Sequence, residues 1–197
     1  GFAKRQDRKR GGNMSLEQHL IEYCSPTLAS LKTASLFNHS YISDEELDKQ
    51  LKLWNGRLRR KGIYLVDLCR RGNRALIYVY RRSHLAADLR QPGVEAFLKA
   101  YGYEDVDVDR AVANIRRRVA MEIHFPHEIG VFLGYPLGDV VGFIENEGKN
   151  CICKGYWKVY CDECEAIKVF SKYKKCKKAY ARLWEQGRSV WQLTVAV

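Results

Sequence analysis

The sequence predicts an α+β domain with a mainly antiparallel sheet of about five strands packed against several helices. Three observations lead there. Residues 63–69 and 74–80 are rich in β-branched and aromatic side chains, with a short glycine-containing connection between them, which is a hairpin signature. Helical patterns group between residues 83 and 147 instead of alternating regularly with strands, which argues against a βαβ repeat. A length of 197 residues suits one well-packed domain, expected over residues 14–197.

The elements follow in order. Ser15 and Gln18 form a capping box that predicts a short helix from Leu16 to about Tyr23, ended by Ser25-Pro26. Residues 30–37 read as a strand. Ser43 and Glu46 form a second capping box, and Leu47, Leu51, Trp54 and Leu58 then recur at helical spacing until Gly62 stops the helix. After the hairpin, short helices are expected at 83–90 and 92–101, the second opened by proline. Asp107 can cap a longer helix whose apolar stripe is Val108, Val112, Ile115 and Val119. Pro126 and Pro136 each suit a first helical turn, giving helices at 126–133 and 136–147 with Gly134 as the break. Residues 151–160 read as one strand. Asp162 and Glu165 open a long helix to about Gln186, with a core-facing stripe of Ile167, Phe170, Tyr173, Cys176, Tyr180 and Leu183. Residues 189–197 are expected to close the sheet as a strand.

Composition narrows the function classes. The chain is 46% hydrophobic and 29% charged, which places it among folded globular proteins. No apolar run approaches the roughly 20 residues a membrane helix needs, so no membrane partner and a cytoplasmic location are expected. The seven cysteines are then expected to be reduced thiols. The formal net charge of +11 invites a nucleic-acid partner, yet residues 1–13 hold five of the cations against Asp7 alone. Residues 1–13 are expected to form a disordered basic tail, a translated leader preceding a native start at Met14. The codons for Arg10-Gly11-Gly12 check this, since a purine-rich run there would be a ribosome-binding site.

The densest local chemistry lies in residues 124–160. The run FPHEIGVFLGYP-L-DV-GFI from Phe125 to Ile144, followed by GYWKVY from Gly155 to Tyr160, resembles a bacterial family, domain-of-unknown-function family 3793. Cys24–Ala29 (CSPTLA) and Cys176 fit the same resemblance, which spans roughly residues 16–193. It implies no activity, fold or ligand, so the residues must carry the functional reading.

His127 and Glu128 are the candidate acid–base residues, with His124 completing an H-x-x-H pattern. The competing reading is a first-turn role, in which a carboxylate complements the helix dipole. On a strand Tyr156, Lys158 and Tyr160 would share one face, able to stack a planar ligand and hold an anion. Arg116 is expected to add charge for the same ligand. The alternative is a solvated sheet surface. Cys151, Cys153, Cys161 and Cys164 offer four thiolates. However, a strand from Lys154 to Tyr160 would separate the pairs by about 26 Å at about 3.3 Å per residue. Zinc needs its sulfurs within about 2.3 Å of one point, so no metal is expected unless the chain reverses at Lys154-Gly155. Cys161 and Cys164, at a helix start, remain a candidate redox pair of lowered pKa. No phosphate loop, nucleophile elbow or dinucleotide fingerprint occurs, and no cofactor is identified.

Two main readings and a reserve result. The first is a binder of a small anionic or planar ligand, with enzymatic activity left open. The second is a non-enzymatic nucleic-acid- or protein-binding module using the Lys172, Lys174, Lys175 and Lys178 face of the last long helix. A thiol redox or metal-binding protein is held in reserve.

Overall fold

A computed structural model describes residues 14–121 and 124–196, so the expected basic tail at 1–13 lies outside the described residues. In chain order the elements are α1 (Leu16–Leu28), β1 (Ala34–Ser40), α2 (Asp44–Leu58), a 3₁₀ turn (Arg59–Lys61), β2 (Ile63–Arg71) and β3 (Arg74–Arg81). There follow α3 (Arg82–Leu89), α4 (Val94–Ala100), α5 (Val108–Met121), α6 (Ile129–Phe132) and α7 (Leu137–Glu145). β4 (Cys153–Lys154), β5 (Lys158–Val159), α8 (Glu163–Glu185) and α9 (Val190–Leu193) complete the chain. The architecture is α+β, and among the described residues the five strands pair antiparallel, in a three-stranded sheet of order β1-β3-β2 and a separate β4-β5 ribbon.

β3 organises the core because it is central and buried on both faces. Ala75, Ile77 and Val79 face one apolar cluster with Leu20, Leu28, Leu47, Trp54 and Val190 from α1, α2 and α9. Leu76, Tyr78 and Tyr80 face a second cluster with Leu85, Leu98, Ile115 and Phe132 from α3 to α6. That is why Ala75–Tyr80 is an unbroken apolar run instead of an alternating one. Each fully buried aliphatic or aromatic side chain contributes about 1.5–3 kcal/mol here. A third cluster joins the ribbon to α8 through Trp157, Val159, Ala166 and Tyr173.

Several boundaries differ from the sequence-based expectation. α1 runs five residues past Tyr23 and contains Pro26. The guanidinium of Arg81, itself wholly buried, holds the last turn by donating to the carbonyls of Thr27 and Leu28, which also accept from the N–H groups of Ser30 and Val195. β1 begins at Ala34, since Ser30 sits at φ 60° in the turn that precedes it. α4 starts at Val94, past Pro92, and α6 is a single turn starting after Pro126-His127-Glu128. Ile167 is not part of the buried stripe of α8 but 53% exposed.

Two strands were misplaced more seriously. Residues 151–160 are not one strand, because the chain reverses between Lys154 and Lys158. Gly155 allows the reversal: a Cβ there would collide with the ring of Phe170. Residues 189–197 do not close the sheet. Ser189 and Gln192 form a capping box that starts α9. Among the described residues no helix is long and apolar enough to cross a membrane.

Candidate ligand-binding cleft

α7 and the β4-β5 ribbon are locked together by one carboxylate. Asp139, on the first turn of α7, is buried and accepts from three donors. Its Oδ2 takes the Trp157 indole N–H at 2.7 Å, and its Oδ1 takes the backbone N–H of Tyr160 at 2.7 Å and of Cys161 at 3.0 Å. Close packing at glycines brings the pieces near: a side chain at Gly142 would strike Tyr160, and one at Gly130 would strike Val140. Gly134, at φ +75° between α6 and α7, makes the break that the sequence predicted.

A cleft opens beside this clamp. Its walls are the aromatic rings of Phe125, Tyr135, Phe143 and Trp157, and its rim carries His127 and Lys158. The enclosed space is about 30 Å³, room for one or two waters. Lys158 Nζ donates to the Gly148 carbonyl and lies 5.5 Å from the centre of the Phe143 ring. No carboxylate among the described residues pairs with it. His127 meets the same Phe143 ring edge-on, with centroids 5.0 Å apart. Burial lowers the imidazole pKa, partly offset by Glu128, so the ring is neutral near pH 7.

The other candidate residues lie elsewhere. Glu128 turns away from the cleft and is 1% exposed, its carboxylate held by Arg118 Nε at 2.5 Å and the Tyr103 hydroxyl at 3.4 Å. Arg116 bonds Asp67 on β2 at 3.0 Å. Tyr156 sits in the ribbon turn and packs on Phe170 and Tyr173, while Tyr160 covers Gly142 and has a buried hydroxyl without a hydrogen-bond partner among the described residues. The expected Tyr-Lys-Tyr face therefore does not form, because the reversal at Gly155 takes Tyr156 out of register. Only His127 and Lys158, of the six residues singled out, line a common space.

Residues 20–194 match the model of the family described as "Protein of unknown function (DUF3793)". The chain belongs to the DUF3793 family. No curated protein and no solved structure matches it. The FPHEIG and GYWKVY segments that carry the resemblance are the two sides of the cleft.

The cysteines fall outside any metal arrangement. The chain does reverse near Gly155, which removes the 26 Å objection, yet no group of three histidine, cysteine or acidic side chains among the described residues is placed to hold a metal. All seven thiols are free. Burial, and then the Asp139 carboxylate, push the Cys161 thiol up, opposite to what an activated thiolate requires.

Sequence reasoning missed a buried lysine behind the cleft. Lys32 is 7% exposed, donates to the carbonyls of Ala34 and Leu133, and sits 5.2 Å from the Tyr135 ring centre. Leu133 and Tyr135 also line the cleft, so this amine stands at its back wall. A single lysine in a mixed segment gives no sequence signal of burial. Desolvation lowers its pKa to about 7. Below pH 7 both folded and unfolded states hold the proton and the burial penalty is full. Between about 7 and 9 only the unfolded chain holds it, so stability should rise with pH. Between about 9 and 10.5 the trend levels off, because burial raises the Cys24 thiol to about 12 and the proton the unfolded chain loses there offsets the one it still holds on lysine, and above 10.5 stability falls. Urea unfolding from pH 6 to 9 should show this rise in the native protein and its loss in Lys32→Met. Equal slopes in both would remove Lys32 as the cause.

Proposed function

We propose that the protein binds a small, planar, anionic organic molecule in the cleft between α7 and the β4-β5 ribbon, admitted by rotation of the Lys158 and Phe143 side chains, because the space as it stands holds only one or two waters. The observation that carries this reading is the meeting of Lys158 and His127 on one aromatic-walled slot, although 30 residues separate them in sequence. The rings of Phe125, Tyr135, Phe143 and Trp157 suit a flat apolar body. The Lys158 ammonium, held by one carbonyl and an aromatic face, is free to exchange that carbonyl for a carboxylate. The neutral His127 imidazole can accept or donate a further hydrogen bond. Glu128 plays no part in this version of the site, since its carboxylate is committed to Arg118.

Titration with aromatic carboxylates such as benzoate and nicotinate, read by calorimetry, tests the proposal against their uncharged amides. Carboxylates should bind and the amides should bind far more weakly. Lys158→Met should cost the carboxylates about tenfold or more in affinity, the scale of one charge-assisted hydrogen bond. Equal binding of acid and amide, or an unchanged Lys158→Met, would refute it. The alternative partner, nucleic acid on the exposed lysine face of α8, separates by salt, because phosphate-driven affinity falls steeply between 50 and 200 mM and cleft binding does not.

A further inference from the structure

A second groove lies across the molecule's other helical layer, between α2 and α9. It is lined by Glu17, Trp54, Gly56, Arg57, Arg60, Ser189 and Trp191 and encloses about 410 Å³, within the range of small-molecule sites. Two of its features have no structural explanation. Arg57 and Arg60 are both exposed on the groove, one turn apart, and neither makes an ion pair among the described residues. Trp191 is 40% exposed, an expensive place to leave an indole, and it is held there deliberately. Lys61 Nζ donates to the backbone carbonyls of Trp191 at 2.5 Å and Thr194 at 2.6 Å and lies 4.1 Å from the indole centre.

We propose that this groove is a nucleotide-binding site, with the base stacked on Trp191 and its phosphates clamped by Arg57 and Arg60. The chemistry is complementary at each point. An indole face stacks any nucleobase, and Lys61, which covers one face of Trp191, holds the ring in place for stacking on the other. Two unpaired guanidiniums match phosphate oxygens bidentately. Arg57 is already poised, its guanidinium 5.4 Å from the centre of the Trp54 ring at the groove wall. Gly56 keeps the floor clear, since even a Cβ there would meet nothing within 4 Å. Glu17, the lone carboxylate of the groove, suits an acceptor for sugar hydroxyls or base amino groups and disfavours a plain polyanion. The same chemistry is offered by a free nucleotide and by one unit of a single strand.

The test uses the full chain. Fluorescence polarisation follows a short fluorescein-labelled single-stranded RNA, with ATP, GTP and inorganic triphosphate as competitors. Calorimetry measures the free nucleotides directly. Binding of RNA or of a nucleotide should weaken about tenfold or more in the Arg57→Ala/Arg60→Ala double variant, and at least about fivefold in Trp191→Leu. Lys158→Met should leave it unchanged, which separates this groove from the cleft. Displacement of the RNA by ATP or GTP assigns the site to free nucleotides, and RNA binding without such displacement assigns it to a strand. Circular dichroism and urea unfolding establish that the variants are folded, and the arginine pair, being exposed, serves if Trp191→Leu is not. The proposal is overturned if inorganic triphosphate competes as well as ATP while Trp191→Leu binds normally. It is overturned equally if no probe binds at low salt, or if a Lys172→Ala/Lys174→Ala/Lys175→Ala variant abolishes binding that the arginine variant leaves intact.

Discussion

Glu128→Ala should destabilise the protein by about 1.5–3 kcal/mol, because it removes a wholly buried carboxylate that accepts a charge-assisted hydrogen bond from Arg118. Arg118 is 17% exposed in its side chain, reaches Glu128 Oε1 at 2.5 Å through Nε, and donates to the Tyr101 carbonyl at 3.1 Å through Nη1. With the carboxylate gone, that partly buried guanidinium loses a charge-assisted hydrogen bond. The Glu128→Leu/Arg118→Met double variant should recover most of the loss, since removing both partners leaves apolar surface that can pack. Urea denaturation of Glu128→Leu, Arg118→Met and the double variant closes the cycle. The same proteins also separate structure from chemistry. If the double variant is stable and still binds carboxylates in the cleft, Glu128 is a structural residue. Stability unchanged in Glu128→Ala would contradict the burial argument outright.

Arg81→Met should cost more, about 3–5 kcal/mol, for a different reason. Arg81 has no carboxylate partner among the described residues. Its Nε donates to Thr27 O at 2.6 Å, and its Nη2 to Leu28 O at 2.6 Å and Val195 O at 2.8 Å. These acceptors belong to the backbone, so no side-chain substitution removes them: Thr27 O and Leu28 O keep the N–H groups of Ser30 and Val195, but a methionine takes away the charged donor that all three carbonyls share. Two segments far apart in sequence, the end of α1 and the residues after α9, thus depend on one fork. Arg81→Lys should fail as well, by about 2 kcal/mol or more, because a point charge cannot span the carbonyls that a planar guanidinium reaches. A midpoint shift under about 1 kcal/mol for Arg81→Met would show that water satisfies those carbonyls instead.

The parts of the fold that were legible in the sequence are those whose cause is local. The Ile63–Arg71 and Arg74–Arg81 pair followed from β-propensity and its glycine-containing turn. The Asp107 and Asp162 caps open α5 and α8 as expected, accepting from Arg110 N at 3.1 Å and Glu165 N at 2.9 Å. What failed was decided by distant partners. Pro26 does not end α1, whose last carbonyls are gripped by Arg81, 55 residues on, and by the N–H groups of Ser30 and Val195. The GYWKVY segment turns back because Phe170 on α8 fills the space over Gly155 and Asp139 on α7 grips its far side. The site shows the same division. His127 and Lys158 stood out as polar groups beside aromatics, while Lys32 and the Arg57–Trp191 groove depend on burial and juxtaposition that no local pattern encodes.

The three bonds on Asp139 also set the tempo of the cleft. A carboxylate that holds Trp157, Tyr160 and Cys161 at once makes the ribbon and α7 move as one stiff wall. The compliant parts are then the Lys158 and Phe143 side chains, which reorient by rotamer changes in about picoseconds to nanoseconds where they are exposed. Such hops are faster than the diffusional encounter of any small molecule at ordinary concentrations. Exchange of water for a solute in this slot would thus be governed by collision and alignment, with no slow backbone gate, and its residence time would be set by departure alone.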